Sequence, residues 1–124
     1  MRIVIASNSF KGTLTAPEAC AAMAVGVRAA CPDAEIIEAP LADGGEGTVA
    51  AIVKATGGEL RTARVTRPLG DPVEAALGLL DGGKRAVVEM AAASGILLVP
   101  PQRRDVLRAT TFGTGELIRA ALDA

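Results

Sequence analysis

The chain has 124 residues, enough for one domain or part of one, and a formal net charge of −1. This near-neutral charge gives no argument for a nucleic acid or an anionic membrane surface as a partner, because both select basic patches. The lack of histidine excludes the Ser-His-Asp triad, the usual general base and most zinc sites. The N-terminus shows no signal peptide, so we expect a soluble cytoplasmic protein.

The first half of the chain alternates strands and helices, which is typical of an α/β protein with a parallel sheet. Residues 2–6 predict a strand buried on both faces, and residues 34–39 predict a second strand. Thr15 and Glu18 have the spacing of a capping box for a helix that ends near residue 30. Cys20 and Cys31 lie in or at the end of that helix and are predicted to be free thiols.

A glycine-rich segment, residues 40–48, follows the second strand and leads into a helix predicted over residues 47–56. Gly44, Gly45 and Gly47 can adopt positive φ and expose main-chain N–H groups to a ligand, and the start of a helix suits an anion. Asp43 and Glu46 in the same segment offer oxygen ligands for Mg²⁺. The alternative interpretation is a simple turn in which Asp43 caps the helix.

The loop after the first strand carries one cation, Lys11, which Ser9 and Phe10 precede. Because the carboxyl ends of parallel strands meet at one edge of a sheet, this loop and residues 40–48 are expected to converge. Lys11 is therefore a candidate anion binder, with an ordinary solvated lysine as the alternative. Neither the P-loop spacing nor the dinucleotide-binding glycine fingerprint is present.

The pattern changes after Gly58, where an antiparallel ribbon replaces the strand and helix units. Residues 59–67 alternate apolar and polar side chains, and residues 73–80 and 84–90 predict the two strands of a hairpin around residues 81–83. We therefore predict a domain boundary near Gly58, with residues 1–58 in one domain and residues 59–124 at the start of another.

Two further groups of candidate residues follow the hairpin. Glu89 and Ser94 could form a ligand wall, although the sequence by itself favours Glu89 as a solvated or paired strand end. Arg103 and Arg104 are expected to be exposed and could clamp a carboxylate or phosphate. A helix is predicted over residues 116–122, and the residues before it are candidates for a nucleotide contact at its N-terminus, with Thr114 as a plain helix cap in the alternative interpretation. These candidates are Thr111, Gly113, Thr114 and Gly115.

Four blocks of the sequence together resemble the bacterial type-1 glycerate kinase family. The blocks are residues 7–16, 40–48, 88–95 and 110–118, and they resemble the family in both their order and their spacing. The resemblance extends over essentially the whole chain, but family members are much longer, and a further glycine-rich block expected after the last helix is missing. The chain is therefore interpreted as an N-terminal fragment of such an enzyme, inactive by itself.

The resemblance implies ATP- and Mg²⁺-dependent phosphorylation of D-glycerate, with 2-phosphoglycerate as the favoured product. It also implies a flavodoxin-like α/β domain interrupted by a second α/β domain, with the active site in the cleft between them. Lys11 would pair with the substrate carboxylate or the transferred phosphoryl group, and Asp43 would orient or deprotonate the attacking hydroxyl or bind Mg²⁺. Alternatives to this function are a partial domain that binds a small anion weakly and a different small-molecule kinase on the same scaffold.

Overall fold

A computed structural model describes residues 1–124 and shows a mixed α/β chain with two separate sheets. In chain order its helices and strands are β1 (Arg2–Ile5), α1 (Ala16–Ala30), β2 (Glu35–Glu38), α2 (Thr48–Thr56), β3 (Glu59–Thr66), β4 (Pro72–Leu80), β5 (Arg85–Val88), α3 (Met90–Ser94) and α4 (Phe112–Leu122). β1 and β2 are parallel, and β3, β4 and β5 form an antiparallel sheet in that order. The α/β class expected from the sequence is confirmed. None of the helices is both long and apolar enough to cross a membrane.

The chain forms two compact units, Met1–Asp43 and Gly44–Ala124. In the first unit, α1 packs on the face of the β1–β2 pair that carries Ile5, and its Cys20 and Ala24 side chains are fully buried against that strand. The opposite face is open, since the side chain of Val4 is 58% exposed. The expectation of a first strand buried on both faces is therefore wrong for this unit, because only one helix covers the two strands.

Helix α1 begins as the sequence predicts. The Thr15 Oγ1 atom accepts a hydrogen bond from the main-chain N–H of Glu18 (3.4 Å), and the Glu18 carboxylate accepts one from the N–H of Thr15 (2.8 Å). The Thr15 hydroxyl also donates a hydrogen bond to Oε2 of Glu18 (2.7 Å), and the bonds that the Thr15 N–H and then the Thr15 hydroxyl donate lower the pKa of the Glu18 carboxyl. The capping box is confirmed.

The second unit is built on the antiparallel sheet, whose inner face carries Val65, Ala75 and Leu77. Leu117 of α4 and Ala93 of α3 pack against this face and are fully buried. The predicted hairpin is confirmed with different bounds: its second strand ends at Val88, because the chain turns into α3 at Met90.

Helix α2 packs on β4 within the second unit. Gly78 on β4 leaves room for α2, since a Cβ atom there would lie 2.5 Å from Cγ2 of Val53. This packing places α2 with the antiparallel sheet, so the second compact unit begins before the boundary that the sequence predicts near Gly58. The division of the longer protein into domains at that position stays a prediction.

Helix α4 begins one turn earlier than the sequence predicts, at Phe112 instead of Glu116. A close contact explains the difference: a Cβ atom at Gly113 would lie 1.9 Å from the carbonyl oxygen of Thr66, so only glycine lets this turn approach β3. The Glu116 carboxylate also accepts a hydrogen bond from the N–H of Thr66 (2.7 Å). The interpretation of Thr114 as the helix cap is wrong, because Thr111 occupies that position.

Candidate functional site

The loop that carries Lys11 is a tight turn closed by its own main chain. The N–H of Phe10 donates to the carbonyl of Leu14 (2.9 Å), and the N–H of Leu14 donates back to Phe10 (3.1 Å). This turn leaves Lys11 exposed, and none of the ion pairs in the structure includes its ammonium group. A free ammonium group on a fixed turn can bind an anion. Ser9 lies beside it, where its N–H donates to the Asn8 side chain (2.7 Å).

The segment after β2 runs alongside the end of β1, as expected for parallel strands. The N–H of Ala39 donates to the carbonyl of Ile5 (2.8 Å), and the N–H of Leu41 donates to the carbonyl of Ser7 (2.9 Å). These bonds extend the pairing past both strand ends, so the Lys11 loop and the segment that leads to Asp43 start from the same edge of the sheet. Asp43 itself is exposed.

The glycine-rich turn, residues 44–47, opens the second compact unit. Gly47 is the N-cap of α2 and has φ +88°, a left-handed conformation that side-chain-bearing residues seldom adopt. Gly47 has no side chain to cap the helix, and Gly44, which also has positive φ, donates its N–H to Thr48 Oγ1 (3.1 Å). Glu46 is half-buried within this turn, and Gly45 lies beside it.

Glu89 supplies the missing cap of α2 from a distant part of the chain. Its side chain is only 8% exposed. Its Oε1 atom accepts a hydrogen bond from the N–H of Gly47, and its Oε2 atom accepts one from the N–H of Val49, both at 3.2 Å. A carboxylate at this position satisfies two unpaired N–H groups and complements the positive end of the helix dipole.

This contact changes the interpretation of two predicted site residues. The N–H of Gly47 already has an acceptor, so an incoming anion would have to displace the Glu89 carboxylate in order to use it. Glu89 is paired at the end of its strand and is not solvated, because both oxygens of its carboxylate accept hydrogen bonds from the amides of Gly47 and Val49. The sequence carried one indication of this contact, an acidic residue at the end of a hydrophobic strand, but it did not identify the partners of Glu89.

Some of the residues predicted to border a nucleotide are engaged in contacts within the protein, and others are exposed. The hydroxyl groups of Ser94 and Thr114 form a hydrogen bond of 2.7 Å that joins the end of α3 to the first turn of α4. Gly113 is buried in its contact with β3, whereas Thr111 and Gly115 are exposed. An approaching nucleotide could therefore reach Thr111 and Gly115 without displacing packed atoms.

The sequence predicts the carboxylates of Asp43 and Glu46 as ligands of Mg²⁺. No group of three or more Asp, Glu or Cys side chains in the structure could hold a metal ion. Mg²⁺ in kinase sites is bound by one or two carboxylates together with substrate phosphates, so Asp43 and Glu46 fit this ion, whereas the Glu89 oxygens are engaged by amides.

Comparison with known proteins gives a consistent result. Residues 3–124 match the model of the glycerate kinase family. The glycerate kinase of Haemophilus influenzae is 53% identical over 99% of this chain, and the glycerate 2-kinase of Escherichia coli (strain K12) is 52% identical over 100% of it. The chain spans 32% of the length of each of these relatives.

A solved structure agrees with the sequence comparisons. It is a crystal structure from Salmonella typhimurium LT2 of a protein assigned as glycerate kinase 2, with a TM-score of 0.68 and 53% identity. The match covers 99% of this chain and 33% of that chain.

Proposed function

Because the chain belongs to the glycerate kinase family, we propose that it is part of an ATP-dependent kinase that phosphorylates D-glycerate. The observation that carries this proposal is the identity of about half of all residues, over the whole chain, with curated glycerate kinases from several bacteria. The family resemblance inferred from the four sequence blocks is confirmed. The name of the Escherichia coli relative, a glycerate 2-kinase, supports 2-phosphoglycerate as the product. We place the enzyme in the cytoplasm, in agreement with its two free cysteines.

The exposed loops of the first unit supply the groups that a phosphoryl transfer requires. Such a reaction depends mainly on positioning and on neutralising negative charge, so no histidine is needed. We assign Lys11 to the substrate carboxylate or the transferred phosphoryl group, because its ammonium group is exposed and unpaired. Asp43 orients or deprotonates the attacking hydroxyl group, or binds Mg²⁺, and Ser9 and Phe10 shape the substrate side of the Lys11 turn.

The glycine-rich turn and the start of α4, both in the second unit, carry the other proposed site residues. Gly44 and Gly45 allow the main chain of this turn to come close to an anion, although the N–H of Gly44 already donates to Thr48 Oγ1. Glu46 is the second proposed carboxylate for Mg²⁺. When bound, Mg²⁺ would neutralise negative charge on the phosphate groups. Glu89 is a positioning residue that fixes Gly47 and α2. Thr111 and Gly115 border the nucleotide, with the Ser94–Thr114 hydrogen bond holding that turn in place.

The test of this proposal is the activity of the full-length parent protein with D-glycerate, ATP and Mg²⁺. We expect Lys11→Ala to lower kcat/KM by about a hundredfold or more, the loss typical of removing one charge-stabilising group. Lys84→Ala is the matched control, because Lys84 is an exposed lysine on the hairpin turn and lies outside the proposed site. ADP formation that depends on D-glycerate is the measurement.

The outcomes separate the competing functions. Equal activity of Lys11→Ala and Lys84→Ala would exclude the assigned role of Lys11. ATP use that rejects glycerate but accepts another small alcohol would indicate a different kinase on this scaffold. Identification of the product by NMR distinguishes 2-phosphoglycerate from 3-phosphoglycerate, and the same assay on residues 1–124 tests the expectation that this piece is inactive alone.

A further inference from the structure

Arg67 holds a buried hydrogen-bond donor without a partner. Its side chain is half-buried, and its Nε atom is fully buried with no acceptor within reach. An unsatisfied buried donor is costly, by roughly 1–3 kcal/mol, and calls for an explanation in any folded protein. Arg67 directly follows β3 and opens a turn in which its N–H donates to the carbonyl of Asp71 (2.6 Å).

This turn lies against the segment that precedes α4. The N–H of Thr110 donates to the carbonyl of Pro68 (3.0 Å), and Nη1 of Arg103 lies 3.6 Å from Oδ2 of Asp71. Between the turn and the segment is an open cavity of about 600 Å³, lined by Leu69 and residues 102–108. This volume is within the range of small-molecule binding sites.

The cavity is lined by more positively than negatively charged side chains. Three arginines border it, Arg103, Arg104 and Arg108, and neither Arg104 nor Arg108 forms an ion pair. Asp105 is the one carboxylate in the lining, and its Oδ1 atom accepts a hydrogen bond from the N–H of Leu107 (2.9 Å). The Arg103–Asp71 pair is long and more than half exposed on both sides, so it stabilises little.

We propose that this arginine-lined cavity binds a phosphate group of a substrate or product. Guanidinium groups are planar and donate two parallel hydrogen bonds to phosphate, so a cluster of them suits a doubly charged anion. Arg67 does not line the cavity but begins the turn that carries Leu69, which does. The inference rests on the proposed function only for the identity of the ligand. In the proposed reaction, both the nucleotide and the phosphorylated acid carry phosphate groups.

Apolar side chains at the cavity favour the nucleotide as the source of that phosphate. Leu69 lines the cavity, and the side chains of Val106 and Leu107 are each 92% exposed beside the arginines. A ligand with both phosphates and an aromatic base can contact both kinds of side chain, whereas phosphoglycerate has no apolar part. The lining therefore combines the two chemistries that a nucleotide presents.

The test measures ligand binding, separately from turnover, by calorimetry on the full-length parent protein. The ligands are ADP, phosphoglycerate, inorganic phosphate and adenosine, the last lacking phosphate. We expect the double variant Arg103→Gln/Arg108→Gln to raise the Kd for ADP at least tenfold and to leave adenosine binding unchanged. Arg119→Gln is the matched control, because Arg119 is an exposed arginine on α4 away from the cavity.

Each outcome decides the proposal. A tenfold loss for phosphoglycerate with ADP unchanged would keep the phosphate site and assign it to the phosphorylated acid. Unchanged affinity for every phosphate ligand would overturn it. A measurement without substitutions guards against misfolding: ADP should protect Arg103, Arg104 and Arg108 from phenylglyoxal, and equal modification with and without phosphate ligands would also overturn the proposal. Binding without glycerate turnover would refute only the proposed kinase substrate.

Discussion

Glu89 shows how a single residue can connect distant parts of the sequence. Its carboxylate oxygens accept hydrogen bonds from the main-chain N–H groups of Gly47 and Val49, which lie 42 and 40 residues earlier in the chain. The sequence indicated that an acidic residue ends a hydrophobic strand, but it could not identify main-chain N–H groups as the partners, because a backbone donor has no side-chain signature. Lys11 is the opposite case: its exposure on a glycine-containing turn followed directly from the local sequence.

Removing the Glu89 carboxylate should loosen the start of α2. Glu89→Ala leaves the N–H groups of Gly47 and Val49 without acceptors, and we expect the free energy of local opening to fall by about 1–3 kcal/mol. Glu89→Gln retains one acceptor oxygen and should cost less. Hydrogen exchange of the α2 amides, measured by mass spectrometry on the full-length protein, reports this change.

A matched control for this prediction is Glu59→Ala, because Glu59 is an exposed glutamate that pairs only with Arg61. If α2 exchanges equally fast in Glu89→Ala and Glu59→Ala, then Glu89 does not cap the helix in solution.

At the scale of elements, local signals placed α1 correctly and misplaced α4. The α1 capping box is a contact between residues three apart, so the sequence contains all of it. The first turn of α4 depends on a contact between Gly113 and Thr66, which are far apart in the chain, and a glycine normally argues against a helix interior. The start of α4 is therefore set by tertiary packing and could not be predicted from helix propensity.

Two glycines of α4 provide a paired test of this packing. Gly113→Ala places a methyl group 1.9 Å from the carbonyl oxygen of Thr66, and we expect it to destabilise the protein by about 1–3 kcal/mol or more through overpacking. Gly115→Ala meets nothing within 4 Å and should stabilise the same helix by up to about 1 kcal/mol. The midpoint of thermal unfolding of the second unit is the measurement. Similar shifts of the same sign in both variants would contradict the close contact.

At the scale of the molecule, the order of the elements was predictable and the coverage of the sheets was not. Alternating strands and helices indicated the parallel pair, and turn residues around Gly82 indicated the hairpin. How many layers cover a sheet depends on residues beyond the local pattern. The open face of β1 and β2 shows this, because the apolar side chains of Val4 and Ile37 are 58% and 40% exposed although they lie in paired strands.

This open face leads to a prediction about residues 1–124 as an isolated piece. Exposed apolar side chains on a flat strand pair favour dye binding and self-association, so the piece should bind an apolar fluorescent dye more strongly than the full-length parent and should sediment as larger species at high concentration. Val4→Thr/Ile37→Thr should reduce both effects, since it removes apolar surface while keeping residues that favour strands. Equal dye binding by the piece and the parent would contradict this prediction, because it would mean that this face is equally open in the longer protein.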